Sequence, residues 1–515
     1  MMNYKILQKR KVVFLLALQY FILSHIFILN AQDKPIEKVP FPKLTPEQMF
    51  IDFDHFIETI ETISPQTPVR KSVTGIDPLA ELKKMRTYIP KIKSSKEFAI
   101  LIQSAITVLQ DGHSSLLWPR GYPSEELKEW GVSEEAISLF PLYYQLRRSK
   151  SNEKKLNMKL TYINGEYYNI ESFHYKGKYF ESGLKLSKIN GQKASRFIGN
   201  LFPYLTRMRW DYKHKRYYSE RFFRAINLTA EKSLHLSFTD KNRKEISEEF
   251  ALSDKLQYTT INNDAKKAKK VVYFSDTQIL YIRIPRMNLD HIAFYPQEIQ
   301  SKAQGKPIKK IIIDIRDNPG GTDNVWTHVL SAIIKDPIDF ELLLLAVPSD
   351  KMKKTYPKDS PNWKPYKAPF LNDYEYAIFA SGPRQIKPAA NSLNFSGNIY
   401  LLQNENIYSS SGAFAAVGML ADNIHTVGQN TGWLLGRGVN PLVFELPNSK
   451  ILYRIEPVID FQNVKSARDV YHDEVEIPVS LTIEQYLKRI HFEGDIYGKV
   501  FLFNQDPVFI KALND

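Results

Sequence analysis

Apolar residues recur at helical spacing through the first part of this chain. Met49, Phe50, Phe53, Phe56, Ile57 and Ile60 mark one face of a helix whose start is signalled by Thr45, Pro46 and Gln48. A second helix opens at Asp77 and Pro78. A third begins with the capping pair Ser94 and Glu97, carries Phe98, Leu101, Ile102, Ala105, Ile106 and Leu109 on one side, and ends at Asp111 and Gly112. From Tyr122 to about Asn263 the period changes to short alternating segments rich in aromatic residues. Leu156 to Ile163 runs into Asn164-Gly165, and Gly183 to Ile189 runs into Asn190-Gly191; both read as a strand ending in a tight turn. Arg207 to Arg224 mixes basic and aromatic side chains and reads as a solvated helix over an aromatic core.

The remainder alternates strands and helices. Leu280 to Ile284 is a strand, Phe294 to Gln304 a helix, and Ile311 to Ile315 a strand apolar enough to be buried on both faces. Asn318, Pro319, Gly320 and Gly321 then turn the chain into a helix from Val325 to Lys335, with Thr322 or Asp323 as its cap. Phe340 to Val347 is a further strand. Ser349 to Ser396, polar and rich in proline, reads as a long excursion or lid. Strand Ile399 to Leu402 leads through Ser409, Ser410, Ser411 and Gly412 into the apolar helix Ala413 to Leu420.

Two turns thus join a buried strand to a helix N-terminus, where bare N–H groups stabilise a developing negative charge. The glycine pair is either a simple turn or an oxyanion hole. The serines are either an N-cap or a nucleophile. Nucleophilic serine needs a base within hydrogen-bond reach, and His113, just past a helix end beside Ser114 and Ser115, is either a surface histidine or that base. The glycine loop is not GxGxxG and no GKS or GKT follows, so phosphate binding is not indicated.

Composition narrows the classes. The 515 residues, 43% hydrophobic and 24% charged, belong to a globular chain of several domains. The absence of cysteine excludes disulfides, thiol catalysis and cysteine-bound metals. Lys5, Lys9, Arg10 and Lys11 precede an apolar run from Val12 to Leu29, and a cleavage site follows at about Ala31. This pattern predicts a signal peptide over residues 1–31, hence export to the periplasm or outside the cell, with no membrane span after cleavage. Gln19 and His25 argue against a retained anchor. Cleavage takes the formal charge from +14 to +10, spread along the chain in a way that favours solubility over nucleic-acid binding.

IIIDIRDNPGG, then YLLQNENIYSSSGAFA, then TVGQNTG resembles the tail-specific, or C-terminal-processing, serine peptidases of family S41, in order and over roughly Leu280 to Pro478. The resemblance implies an α/β fold: a ClpP/crotonase-like β/α superhelix as catalytic domain, residues 264–515, behind an N-terminal helical region, 32–121, and a β-rich, degenerate PDZ-like module, 122–263. GLKLSKINGQKASRFIGN looks like the tail of that module, without its ligand-loop signature. One branch of the family uses a lysine after the GxxTG segment. Here Leu434 and Arg437 stand there, and arginine keeps its proton. LQDGHSS is similar to the histidine turn of the other, tricorn-like branch.

By this resemblance Ser409 is the nucleophile, His113 the general base, and Gly320 or Gly321 with Ser410 the oxyanion hole. The acidic residue that orients the histidine falls in YHDEVEIPV, with Glu474 first and Glu476 or Asp473 as alternatives. The implied activity is serine endopeptidase cleavage of a peptide or protein substrate through an acyl-enzyme, requiring no metal or organic cofactor. The rival readings are a non-catalytic S41-like module that binds peptides or hydrophobic ligands, and an acyl-CoA enzyme, which export disfavours. Substrate preference and oligomeric state are not encoded legibly.

Overall fold

The computed structural model describes residues 41–117, 122–151, 156–205, 208–224, 232–258, 268–432, 441–471 and 474–515. Its first helix, Pro46–Ile63, starts with a reciprocal cap: Thr45 Oγ1 accepts the Gln48 N–H, and the Gln48 side chain accepts the Thr45 N–H. Asp77 caps Pro78–Arg86 and Ser94 caps Ser95–Val108. A further helix, Gln66–Thr74, ends at Gly75 in a left-handed conformation. The third expected helix stops short of Asp111 and Gly112, because the left-handed residue after it is Gln110, with φ 47°. Helices Ser124–Glu129 and Glu134–Ser151 follow, where alternation suggested strands.

The β-rich part begins at Leu160. A six-stranded sheet runs Glu245–Ala251, Ser233–Thr239, Lys185–Ile189, Glu166–Asn169, Leu160–Ile163, with Gln192–Lys193 paired to the side of Lys185–Ile189. Asn164 and Gly165 (φ 50° and 87°) close the Leu160–Ile163/Glu166–Asn169 hairpin, the double left-handed turn that an Asn-Gly pair favours. The basic and aromatic stretch read as a helix is instead a hairpin, Arg209–Asp211 paired with Arg216–Tyr218. Trp210, Tyr217 and Tyr218 are buried, and Arg209 with them.

The C-terminal half is built on a six-stranded sheet ordered Lys270–Phe274, Ile279–Arg283, Lys310–Asp314, Ile399–Gln403, Ile424–Gly428, Ile477–Pro478. The first pair is antiparallel and the rest are parallel. Alternation sends Ile311 and Ile313 to one face, against helices His291–Ala303, Asn324–Ser331 and Ser410–Gly418, and Ile312 to the other, against Lys499–Asn504 and Pro507–Asn514. Trp326 and Phe414 stack at 5.4 Å between ring centroids, joining the two helices that follow the two turns. The stretch 349–396, read as an excursion or lid, holds the helix Asp350–Thr355 and the 13-residue strand Tyr374–Ile386, which pairs with Ile338–Ala346 in a separate antiparallel sheet. Among the described residues no helix is long and apolar enough to cross a membrane.

Asp314 ends the central strand without exposure to solvent. Arg316 Nη2 lies 2.6 Å from its carboxylate and Arg283 Nη1 3.7 Å, and the Tyr281 hydroxyl donates to it at 2.9 Å. Arg316 also pairs with Asp506 at 2.8 Å, as does Arg489 at 2.9 Å, while Asp506 caps the last helix. Burial works to raise the Asp314 pKa, but Arg316 and Arg283 outweigh it and hold the carboxyl well below the usual range. Its contribution to stability is therefore present above the ordinary carboxylate pKa and lost as pH falls. Asp314→Asn leaves the buried Arg283 without its carboxylate and Arg316 to share Asp506 with Arg489, and is expected to cost about 3–5 kcal/mol in urea unfolding at neutral pH, with a smaller penalty in acid.

Candidate active site

The histidine turn is fixed from below by Asp111. Its Oδ1 accepts the His113 N–H at 2.8 Å and its Oδ2 accepts the Ser114 hydroxyl at 2.6 Å; the Ser114 oxygen in turn accepts the Glu456 N–H at 3.0 Å. Beyond the turn, Ser115–Leu116 pairs antiparallel with Leu452–Ile455, Ser115 opposite Arg454. This register brings His113 alongside the residue that follows the second strand. His113 Nδ1 lies 3.0 Å from Glu456 Oε2, and Glu456 is 1% exposed.

The serine turn is held by the glycine loop. Tyr408 N–H donates to the Asn318 carbonyl at 3.1 Å, and the Ser411 hydroxyl donates to the same oxygen at 2.7 Å. Asn318 itself is buried; its Nδ2 donates to the Ile284 carbonyl at 2.9 Å and its Oδ1 accepts the Gly320 N–H at 2.8 Å. Gly320, at φ 88°, packs so closely that a Cβ would stand 2.8 Å from that of Ser409. Ser409 has φ 56° and ψ −122°, a strained conformation for any residue with a Cβ, and it immediately precedes the helix Ser410–Gly418.

The two turns meet. His113 Nε2 and Ser409 Oγ, 296 positions apart, lie 3.3 Å from one another. Tyr408 packs across both turns, 5.5 Å from the His113 ring centroid and directly over Gly112, where a side chain would collide with its hydroxyl. A carboxylate at Nδ1 favours the tautomer protonated there, which leaves the Nε2 lone pair facing Ser409. Burial pushes the His113 pKa down; Glu456, and then Asp111, outweigh it against Arg454, so the imidazole ends above its ordinary value. The imidazolium therefore stabilises the fold below the ordinary histidine pKa, and that contribution is lost as pH rises through the raised value.

The other expected residues are placed less uniformly. Glu474 stands apart from His113: it is two-thirds exposed and pairs with Arg468 at 3.3 Å. Glu476 pairs with His425 at 3.0 Å, also at the surface. Asp473, Leu434, Arg437 and the segment 1–31 lie outside the described residues. The expectation of Glu474 at the imidazole gives way to Glu456, which strand pairing delivers and an exposed loop does not. The one sequence signal for Glu456 is a charge inside the stretch from Ile451 to Phe461, which is apolar apart from Arg454, Glu456 and Asp460. Of the expected oxyanion donors, Gly320 has its N–H engaged by Asn318. The N–H groups of Gly321 and Ser410 carry no hydrogen bond among the described residues. Among those residues no three or more His, Cys, Asp or Glu side chains are grouped to hold a metal ion.

The sequence profile of peptidase family S41 matches residues 278–463, which include Ser409 and Glu456 but not His113. Over that segment the chain is similar to the S41 peptidases. An S41 member is a serine-type peptidase, and its substrates are peptides or proteins. No curated protein matches it by sequence. Among solved structures, mature CPAF is similar at 12% identity over 91% of this chain and 98% of that one, with a TM-score of 0.56. Mature CPAF complexed with lactacystin is similar at 12% identity over 91% and 99%, with a TM-score of 0.55. A photosystem II D1 C-terminal processing protease is similar at 13% identity over 88% and 99%, with a TM-score of 0.35. The likeness to CPAF concerns the fold and extends well beyond the profile-matched segment.

Two measurements test this geometry without assuming a reaction. In an NMR titration of the His113 ring, Glu456→Gln is expected to lower the midpoint, since burial then acts with less opposition, and Glu474→Gln to leave it in place. Ser409→Gly is expected to unfold at a higher temperature than Ser409→Ala, because a Cβ at this φ and ψ costs on the order of 1 kcal/mol. Equal stability of the two would show that the turn is unstrained.

Proposed function

We propose that this chain is an S41-type peptidase that cleaves peptide bonds through an acyl-enzyme on Ser409, with His113 as general base. The observation that carries the reading is the 3.3 Å approach of Nε2 to Oγ beside a helix N-terminus and the glycine loop. His113 takes the hydroxyl proton as Oγ attacks the carbonyl carbon, and the carbonyl electrons move onto oxygen. The N–H groups of Gly321 and Ser410 are proposed to receive that oxyanion, each such donor lowering the barrier by about 3 kcal/mol. Gly320 supports the hole by its close packing. The tetrahedral intermediate collapses as His113 gives the proton to the leaving amine. Water then repeats the sequence on the ester and releases the acid.

Glu456, in place of the expected Glu474, is proposed to stabilise the imidazolium in both steps. The basic and apolar pattern of residues 1–31 supports export, so we infer action outside the cytoplasm. Branch membership follows the same logic: a histidine base corresponds to the tricorn-like pattern.

A fluorophosphonate probe that phosphonylates activated serines tests the reading. Labelling is expected to vanish in Ser409→Ala and to fall by at least about a thousandfold in His113→Ala. Its rate should rise with pH along a limb whose midpoint lies above that of an ordinary histidine. Labelling that survives in Ser409→Ala would remove Ser409 from the nucleophile's role, and a folded wild type that takes up no probe and cleaves no peptide would favour the binding-module reading instead.

A further inference from the structure

The β-rich module touches both catalytic turns through neighbouring residues. Gln110, three residues before His113, is buried and left-handed. Its Nε2 donates to the Phe202 and Leu205 carbonyls, each at 2.9 Å, and its Oε1 accepts the Met208 N–H at 2.8 Å. The next module residue, Arg209, is 4% exposed. Its Nη1 donates to Asn406 Oδ1 at 2.7 Å, and Asn406 lies three residues before Ser409. Asn406 and Asn404 each donate a side-chain N–H to Asp317 Oδ1 at 2.9 Å, tying the serine turn to the loop that carries the glycines. One residue further, the Trp210 N–H donates to the Gly432 carbonyl at 2.6 Å.

We propose that Gln110 and Arg209 are positioning residues that set the separation of His113 and Ser409, with the hairpin of the β module as the rigid link between the two turns. The inference rests on the Ser–His reading above. It gives the module a place in the active-site frame, so that anything displacing the hairpin alters the reaction without touching a reacting atom.

The charges around Arg209 explain why a guanidinium stands there. Glu220 forms an ion pair with its Nη2, Glu405 lies 3.7 Å from Nη1, and Asp317 faces Glu405 from the glycine loop. The hydroxyls of Tyr167, Tyr218 and Tyr486 also face this cluster. Arg209 is thus one cation among three carboxylates contributed by the module and both loops. Burial first, then Glu220 and Asp317, raise Glu405 to about 7 against the pull of Arg209. Without Arg209 the three acids repel one another more strongly as pH rises, and the serine turn parts from the module.

The test compares Arg209→Met, Gln110→Met and the Arg209→Met/Glu405→Gln double variant with the full-length wild type. Fluorophosphonate labelling and amide hydrogen exchange are read on each, and thermal unfolding confirms a folded chain. Labelling is expected to fall by about tenfold to a hundredfold in both single variants, the size of effect that a small misplacement of reacting groups produces. In Arg209→Met the loss should deepen toward alkaline pH, and the double variant should recover part of it; a merely structural role moves neither. Exchange should quicken at both 110–114 and 404–409 while the central strand stays protected. Labelling within about twofold of wild type in a folded single variant, or quickened exchange confined to the hairpin, would overturn the proposal. If Arg209→Met does not fold, Gln110→Met decides on the same readouts. If the wild type is not labelled, the Ser–His reading falls by itself, and exchange at the two turns still decides whether the link exists.

Discussion

The candidate active site depends on one short strand pairing. Ser115–Leu116 contributes only two residues to its sheet, yet their register against Leu452–Ile455 fixes which carboxylate meets the imidazole. A slip of one position would exchange the faces of the strand and take Glu456 away from His113. So short a ladder is insufficient by itself. The Ser114 hydroxyl links Asp111 to the Glu456 N–H and locks the same register with side-chain bonds. The histidine is therefore placed by contacts made on either side of it, and its own ring contributes the charge pair with Glu456.

A second set of constraints operates beneath the glycine loop. Asp314, Arg316 and Asp506 form a buried chain of charge that joins the central strand to the C-terminal helices, on the face of the sheet opposite the serine helix. Breaking one member leaves its neighbours charged in a low-dielectric interior, which is costlier than never having built the pair. Asp314 and Arg316 of the IIIDIRDNPGG segment thus serve the frame, whereas its Asp317, asparagine and glycines serve the turns. Asn318 spends its side chain on Ile284 and Gly320, and so orients the loop that lies against Ser409.

What could be read from the sequence was local. Thr45 with Gln48, Ser94 with Glu97, and the Asn-Gly turns announce their elements because the bonds they make lie within four residues. His113 and Ser409 were legible as types of residue in types of turn, and the structure brings them together. Glu456 was not, because its partner arrives through pairing with a strand more than three hundred positions earlier. Arg209 misled for a related reason: a basic residue in an aromatic stretch suggests a solvated face until the hairpin brings Glu220 round to it and the serine turn supplies Glu405 and Asn406. The stretch around Tyr374–Ile386 concealed a long strand because Gly382 and Pro383 interrupt its apolar pattern, and only the partner Ile338–Ala346 supplies the ladder.

The contact between Gly112 and Tyr408 binds the histories of the two turns. Each turn occupies space that the other leaves vacant, the missing side chain at 112 and the ring at 408. A side chain at position 112 would require the ring at 408 to swing aside or to be shortened. The two positions should consequently descend as a pair, and variation among relatives at one should be readable from the residue found at the other.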